Sequence, residues 1–472
     1  MNKLPLCVDL DHTLINTDLT FEAIVEAIKN NPVHIFKVFK FIISGRKKEL
    51  KSWLADHVDL EWSNLPLNHE IEEYMNREIN SGRDVYLVSG SHQKYLSKIH
   101  RLFPQVKEAV GTTHEANLIG KNKADYLVKR FGEKGFDYLG DSHQDLYVWS
   151  RAHAGLIISK NKKLIRKVQN KDLVFKTSRN SLKHIIKGIR VNQWIKNLLI
   201  FLPAILAHDF FNLELWGSLI FGAILYSFVA SSIYLINDIV DIPNDRVHRT
   251  KKFRPIASGN LDIPLAIKLI FIFLLFSFVG AFLLNKSFFV ILVIYFISNL
   301  LYSLKLKKIA IIDVFLLSGF YLIRIAAGSE IGNIPLSPWL KSFSFFLFLS
   351  LGFLKRYAEV LLNYIKSGVS TSHGRAYVYQ DTQVLFGFGI LSAYISVLVL
   401  SLYIYQGQVS LLYKHPDFMW GIVILLAYWK TSLWFKASHA KVKDDPVKHI
   451  VTDRESIFIM FLVFACFVLA IT

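Results

Sequence analysis

The chain has 472 residues, 52% hydrophobic and 14% aromatic, with 19% charged and a formal net charge of +18. Charge and apolar residues are segregated: residues 1–145 carry 19 basic and 21 acidic side chains, and residues 146–190 carry 12 basic and one acidic. A single soluble globule, a disordered chain and a disulfide scaffold are excluded, and Cys7 and Cys466, far apart in sequence, support no cysteine metal site.

The opening MNKLPLCVDLDHTLIN is too short an apolar stretch, interrupted by Asp9 and Asp11, for a cleavable signal sequence, so folded protein is expected from the start. PLCVDL predicts a buried strand running into a polar turn, with Asp9 and Asp11 at the strand end where loop chemistry takes place. On its own such a pair is compatible with a hydrogen-bonded turn. Three further features point elsewhere. VYLVSGS puts Ser89 at the end of a second strand, GKNKADYL holds Lys121 and Lys123, and FDYLGDSHQD puts Asp141 and Asp145 after a third strand.

In that order, these pieces resemble the haloacid dehalogenase-like phosphatases over residues 4–150. The resemblance implies a Rossmann-like α/β domain over 1–150 with a helical cap at about 18–82. It implies that Asp9 is the nucleophile that forms an aspartyl-phosphate, and that Asp11 is the general acid and then base. Asp9, Asp141 and the main-chain carbonyl of Asp11 are then expected to hold Mg2+, with Ser89 and Lys123 on the phosphoryl oxygens. Lys123 is preferred to Lys121 because it directly precedes the small residue and apolar helix of Ala124 to Val128. Asp145 is either a support or a ligand. Within the cap, VHIFKVFKFII (33–43), punctuated by Lys37 and Lys40, has two readings: cap core, or a segment at the bilayer surface.

Residues 151–190, including Lys160, Lys162, Lys163, Arg166 and Lys167, read as a basic juxtamembrane linker lying at anionic inner-leaflet lipids. Its place before a membrane domain argues against nucleic acid as the partner. Beyond it, at 197–213, 216–236, 263–284, 287–303, 309–328, 338–354, 383–405, 418–435 and 456–471, apolar runs of bilayer-spanning length predict an all-α polytopic domain (191–472) of about nine transmembrane helices. Basic residues crowd alternate loops: Arg246 to Arg254, Lys305 to Lys308, Lys355 to Arg375 with Lys366, and Lys436 to Arg454 with Lys441, Lys443 and Lys448. The positive-inside rule then places the N-terminal domain in the cytoplasm and the C-terminus outside, in a multi-pass protein of a bacterial inner membrane.

After the second span, LINDIVDIPNDRVHRTKKFRPIASG sets Asp238, Asp241 and Asp245 at i, i+3 and i+7, on one helical face, with Asn237 adjoining. Carboxylates at a membrane helix end are costly unless employed, and a row of them beside a basic run suits a magnesium diphosphate site. Together with QWIKNLLIFLP and YSLKLKKIAIIDVFLLSGFYLIRIAAG, this stretch resembles the UbiA-type membrane transferases over about 185–472. Aromatic prenyltransferases of that family carry a second Asp-x-x-x-Asp row, whereas here Asp313 is followed by Val314, Phe315, Leu316 and Leu317.

The layout resembles the decaprenyl-phosphate phosphoribosyltransferase branch. That resemblance implies phosphoribosyl diphosphate as donor, a polyprenyl phosphate lipid as acceptor, and Mg2+ on Asp238, Asp241 and Asp245. Lys196, Asn237, Lys252, Arg254, Tyr302, Lys307, Lys355 and Arg356 are the expected substrate contacts. Arg324 is either a further substrate group or a packing charge met by a neighbouring helix.

The expectation for the whole chain is a bifunctional membrane enzyme. It makes a phosphoribosyl lipid and then removes the 5-phosphate, with one Mg2+ in each domain. Oligomeric state is left open. Two alternatives stand beside this: prenyl transfer to an aromatic or glycerol-phosphate acceptor, and a lipid-binding regulatory protein with a relic phosphatase domain.

Overall fold

The structure, a computed structural model, describes residues 3–114, 116–368, 375–406, 412–442 and 446–472. Lys443 lies outside these residues, as do the side chains of Lys366 and Lys448. The chain forms two compact units, Met1–Val191 with Tyr234–Ile272, and Asn192–Ile233 with Phe273–Thr472.

The first unit is built on a six-stranded parallel sheet of order β3-β2-β1-β4-β5-β6, comprising β1 (Leu6–Val8), β2 (Val85–His92), β3 (Glu108–Thr112), β4 (Asp137–Gly140), β5 (Gly155–Ile158) and β6 (Lys171–Phe175). Central β1 is buried on both sides, which is why its sequence is apolar without alternation. Leu6 and Val8 enter a core with Leu87, Leu139 and Leu156. Cys7 enters the opposite one with Tyr86, Tyr138 and Trp149, as the two-residue period of a strand demands. The order reverses beside β1, and ligands of such sheets bind at the carboxyl ends of strands at that point.

The sheet runs past residue 150. β5 pairs parallel with β4, and β6 pairs parallel with β5 across a register shift at Gly155 and Leu156, so part of the stretch expected as a linker belongs to the fold. The reason is local: Gly155–Ile158 is a fully buried apolar strand, and the basic charge sits on the exposed residues of helix Lys162–Lys167 between the strands.

Between β1 and β2 stand four helices, α1 (Leu19–Asn30), α2 (His34–Ile43), α3 (Lys47–His57) and α4 (His69–Asn80), in the place expected for a cap. The cap-core reading of 33–43 does not hold for most of it. Of α2 only Val38 is buried, while Phe36 is 75% and Ile43 70% exposed.

The longest helices follow residue 212 and are apolar. Seven among the described residues are long and apolar enough to cross a membrane: Leu213–Val240, Ile263–Leu284, Lys286–Leu304, Ile312–Gly332, Tyr379–Tyr405, Phe418–Ser438 and Arg454–Ile471. Their outward side chains, such as Phe271, Leu275 and Phe282, are apolar, as lipid contact requires. Two of the nine expected spans differ. The run 197–213 falls in a 3-10 segment, Val191–Phe201, and a short helix, Leu202–Leu206, ending at His208 with φ 57°. This segment lies close against Ile312–Gly332: a Cβ on Gly328 would stand 1.9 Å from the Ile200 carbonyl oxygen, so only glycine fits. The sixth run lies in a 30-residue helix, Pro338–Ser367, whose Lys341, Lys355 and Arg356 dilute its apolar character.

Candidate functional site

In the first unit, β1 delivers Asp9 to the carboxyl edge of the sheet and β4 delivers Asp141 beside it. Oxygen atoms of Asp9, Asp141 and Asp145 lie within 4.8 Å of one another. Lys123, nearly fully buried on helix Lys121–Phe131, donates to Asp9 Oδ1 at 3.0 Å and to the Tyr138 hydroxyl oxygen at 2.9 Å. The Tyr138 hydroxyl donates to Asp145 Oδ1 at 2.7 Å, and Asp145 Oδ2 accepts from Ser142 N at 2.9 Å and Ser142 Oγ at 2.8 Å. Both oxygens of Asp145 are therefore engaged in hydrogen bonds within the cluster. Asp11 is not one of the three. Its Oδ2 accepts from Ser89 Oγ (2.8 Å) and Ser91 Oγ (2.7 Å), and its Oδ1 from Leu19 N (3.0 Å), the first residue of α1.

Burial, moderated by Lys123 and reinforced by Asp145, Asp11 and Asp141, pushes the Asp9 carboxyl up to about 8. Burial likewise pushes Asp141 up to about 6, against the pull of Arg179. Burial works to lower Lys123, but Asp9 and Asp145 outweigh it and hold the ammonium above its ordinary value. Crowded, partly protonated carboxylates are hard oxygen donors whose repulsion a divalent cation relieves, so the residues fit Mg2+.

Two contributors have no motif in the sequence. Lys51 reaches from α3 to donate to the Gly90 carbonyl at 2.6 Å, where burial lowers its pKa against the opposing pull of Asp11 and Asp18. Arg179 donates to Asp141 Oδ2 at 2.9 Å and lies 3.5 Å from Asp262. Lys121 is exposed, and Lys123 is the lysine bonded to Asp9.

The expected carboxylate row also belongs to the first unit. Helix Leu213–Val240 stops at Asp241, and Pro243 opens a second short helix, Ile242–Val247, so the row spans a break rather than one continuous face. Asp238 Oδ1 accepts from Arg190 at 2.5 Å and from Arg254 at 3.1 Å, and the same Arg254 nitrogen donates to Asp245 Oδ2 at 2.6 Å. Burial, opposed by Arg254, raises the Asp245 carboxyl. Among the described residues this row does not bring three ligand atoms together as Asp9, Asp141 and Asp145 do, because arginines hold two of its members. Asn237 is half-buried and takes the Asp241 amide on its carbonyl at 2.9 Å. Lys252 is exposed, with its ammonium over the ring of Phe253.

Arg246 turns away from the row. Its guanidinium makes a two-pronged bond to Glu22 of α1, at 2.9 and 2.5 Å, and donates to the Ala257 carbonyl at 3.0 Å. Next to it, Gly259, at φ +73°, abuts Asn16, and a Cβ there would stand 1.8 Å from the Asn16 carbonyl oxygen.

In the second unit, Arg356 is fully buried. It donates to Asp313 Oδ2 (2.5 Å), Glu359 Oε2 (2.5 Å) and the Tyr302 hydroxyl oxygen (3.2 Å). Arg375 and Tyr377 also donate to Asp313, at 3.3 and 2.5 Å. The expectation that Arg356 contacts phosphate is thus corrected: its donors are spent on two carboxylates and a tyrosine. Arg324 is a packing charge, donating to Asn197 (2.8 Å), the Phe320 carbonyl (2.5 Å) and the Tyr295 hydroxyl oxygen (3.1 Å). Lys196, Lys307 and Lys355 are half-buried.

Residues 198–463 match the UbiA prenyltransferase family. Over 99% of its length the chain is 30% identical to the Sinorhizobium fredii protein y4nM, covering 91% of it. It is 33% identical over 204 residues to the decaprenyl-phosphate phosphoribosyltransferase of Mycobacterium tuberculosis. That match takes in 41% of this chain and 65% of the mycobacterial enzyme, just under two thirds of its length. Among solved structures, a UbiA homologue from Archaeoglobus fulgidus bound to GPP and Mg2+ is 16% identical with a TM-score of 0.47, covering 61% of this chain and 99% of that one. With more than half of its residues matched, the chain belongs to the UbiA prenyltransferase family, and it carries that domain behind an α/β domain built on a six-stranded parallel sheet.

Proposed function

We propose that the chain is a bifunctional Mg2+-dependent enzyme. Its membrane domain transfers 5-phosphoribose from phosphoribosyl diphosphate to a polyprenyl phosphate, and its N-terminal domain removes the 5-phosphate from the lipid product. The observation that carries the choice of donor is Asp313. It stands where a second carboxylate row would begin, no acidic residue follows it at the required spacing, and Arg356, Arg375 and Tyr377 consume its own carboxylate. The likeness to the mycobacterial phosphoribosyltransferase adds support.

In the transfer, an oxygen of the lipid phosphate bonds to the anomeric carbon as the diphosphate leaves with the bonding electrons. The acceptor is already anionic, so positioning rather than a base supplies the catalysis. Asp238, Asp241 and Asp245 are the residues that would hold Mg2+, which supplies charge neutralisation for the leaving diphosphate. Arg190 and Arg254, which pair with Asp238 and Asp245, would bind the diphosphate oxygens beside the row. Lys196, Lys307 and Lys355, all half-buried, are the lysines proposed to contact the lipid phosphate.

In the hydrolysis, Asp9 attacks the 5-phosphate and forms an aspartyl-phosphate. Asp11 protonates the leaving ribose oxygen and then takes a proton from the attacking water. Lys123 holds Asp9 and the phosphoryl group, and Ser89 and Ser91 fix the orientation of Asp11. The positive-inside rule places both reactions at the cytoplasmic face of a bacterial inner membrane, with the C-terminus outside.

A second reading is prenyl transfer from a prenyl diphosphate. The family match itself favours it, more directly than it favours phosphoribosyl transfer. The test is the identity of the lipid product. Asp9→Asn protein, given polyprenyl phosphate and phosphoribosyl diphosphate, accumulates the phosphorylated lipid; dephosphorylated product formed as fast as by wild type would overturn the coupled reaction.

A further inference from the structure

Helix α2 carries an apolar face that is at least half exposed among the described residues. At about 3.6 residues per turn, Ile35, Phe36, Phe39, Ile42 and Ile43 fall on one side of the helix. They are 50%, 75%, 62%, 50% and 70% exposed, and Val33 at the helix entrance is 66% exposed. The opposite side is anchored: Val38 is buried, Phe41 packs on the cap core, and the His34 ring meets the edge of Trp53 on α3. The helix is therefore held by one face while a contiguous row of five large side chains faces outward. A soluble domain does not keep such a row in water at no cost.

The rim of this face is basic. Lys37 and Lys40 flank it on one side, and Lys47 is exposed just beyond the helix, followed by half-buried Lys48. Phenylalanine and isoleucine on one face with lysines at its edge is the pattern of a helix lying in the plane of a membrane interface. The same chain has seven helices of membrane-spanning length, so a bilayer is the large apolar surface always present beside it. We propose that α2 is a monotopic helix that docks on a bilayer bearing anionic headgroups, with Phe36, Phe39 and Ile43 inserted at the headgroup and acyl-chain boundary and Lys37, Lys40 and Lys47 on lipid phosphates. The cap is thereby held at the lipid surface independently of the membrane spans.

The experiment uses the full chain in nanodiscs containing phosphatidylglycerol, with Cys466→Ser and the buried Cys7 retained. An environment-sensitive fluorophore is placed at F36C, F39C or, as control, E73C on the exposed side of α4. Labels at 36 and 39 are expected to be quenched several-fold more than the control by lipids with a nitroxide on the acyl chain, and to be shielded from aqueous iodide. Equal iodide quenching at all three positions overturns the proposal. Shielding from iodide without lipid quenching also overturns it, since that marks a second protein chain as the occupant. I43C provides a replicate in case either phenylalanine variant misfolds.

Discussion

Asp9 sits at one end of a hydrogen-bonded chain that runs through Lys123 and Tyr138 to Asp145. Each member satisfies the next, which is how four polar groups remain buried at tolerable cost. Because raised carboxyls hold protons near neutrality, and Mg2+ competes with those protons, Mg2+ affinity is expected to rise with pH between about 6 and 8. Calorimetric titrations in buffers of different ionisation enthalpy should show protons released on binding; identical heats would contradict the linkage.

Replacing Lys123 with Ala leaves buried carboxylates without their counter-charge. Thermal unfolding should reveal a loss of about 3–5 kcal/mol, with phosphatase turnover lowered at least a hundredfold, on the order seen for lost charge-stabilising groups. Ser89 lies inside β2, and with Asp9, Lys123 and Asp141, which follow a strand or sit in the first turn of a helix, it was legible in the sequence. Lys51 and Arg179 were not. They arrive from the cap and from beyond β6, and nothing local marks a lysine or arginine whose partner lies far away in sequence.

At the scale of elements, the parallel strands and the apolar helices were legible because periodicity and length are local properties. What escaped was decided by distant partners. Val191–Phe201 is apolar enough to suggest a span, yet it packs as a 3-10 segment against Gly328. Arg356 looked like a phosphate ligand, since a basic residue near a loop reads alike whether it meets substrate or Asp313 across 43 positions of chain. Here Pro338–Ser367 and Ile312–Gly332 are joined by a buried ion network. Arg356→Met should destabilise the detergent-solubilised protein by about 3–5 kcal/mol, because Asp313 and Glu359 lose a fully buried counter-charge and Asp313 is left with Arg375 and Tyr377. Adding Asp313→Asn should recover much of that loss. Additive destabilisation in a double-mutant cycle would show that the two do not act as a pair.

Across the molecule, the N-terminal α/β domain and the segment after the carboxylate row share one compact unit. Arg246 follows Asp245 directly and grips Glu22 on the first cap helix, and Asn16 abuts Gly259. Arg246→Ala should therefore lower hydrogen-exchange protection in residues 17–30 and 246–262 together; loss in only one segment would mean that the contact does not link them. The segregation of charge takes on physical meaning here. Near-neutral residues 1–145 form most of the α/β domain, and the basic stretch after them completes its sheet and supplies Arg179 and Arg190 to carboxylates.

The most direct test of the central claim is mass analysis of lipids after the purified full chain is incubated with polyprenyl phosphate, Mg2+ and either phosphoribosyl diphosphate or a prenyl diphosphate. The expected result is a pentose-bearing lipid without its 5-phosphate from wild type, the same lipid with that phosphate from Asp9→Asn, and neither from Asp238→Asn. Turnover of prenyl diphosphate onto an aromatic or glycerol-phosphate acceptor, with no pentose on the lipid, would contradict it.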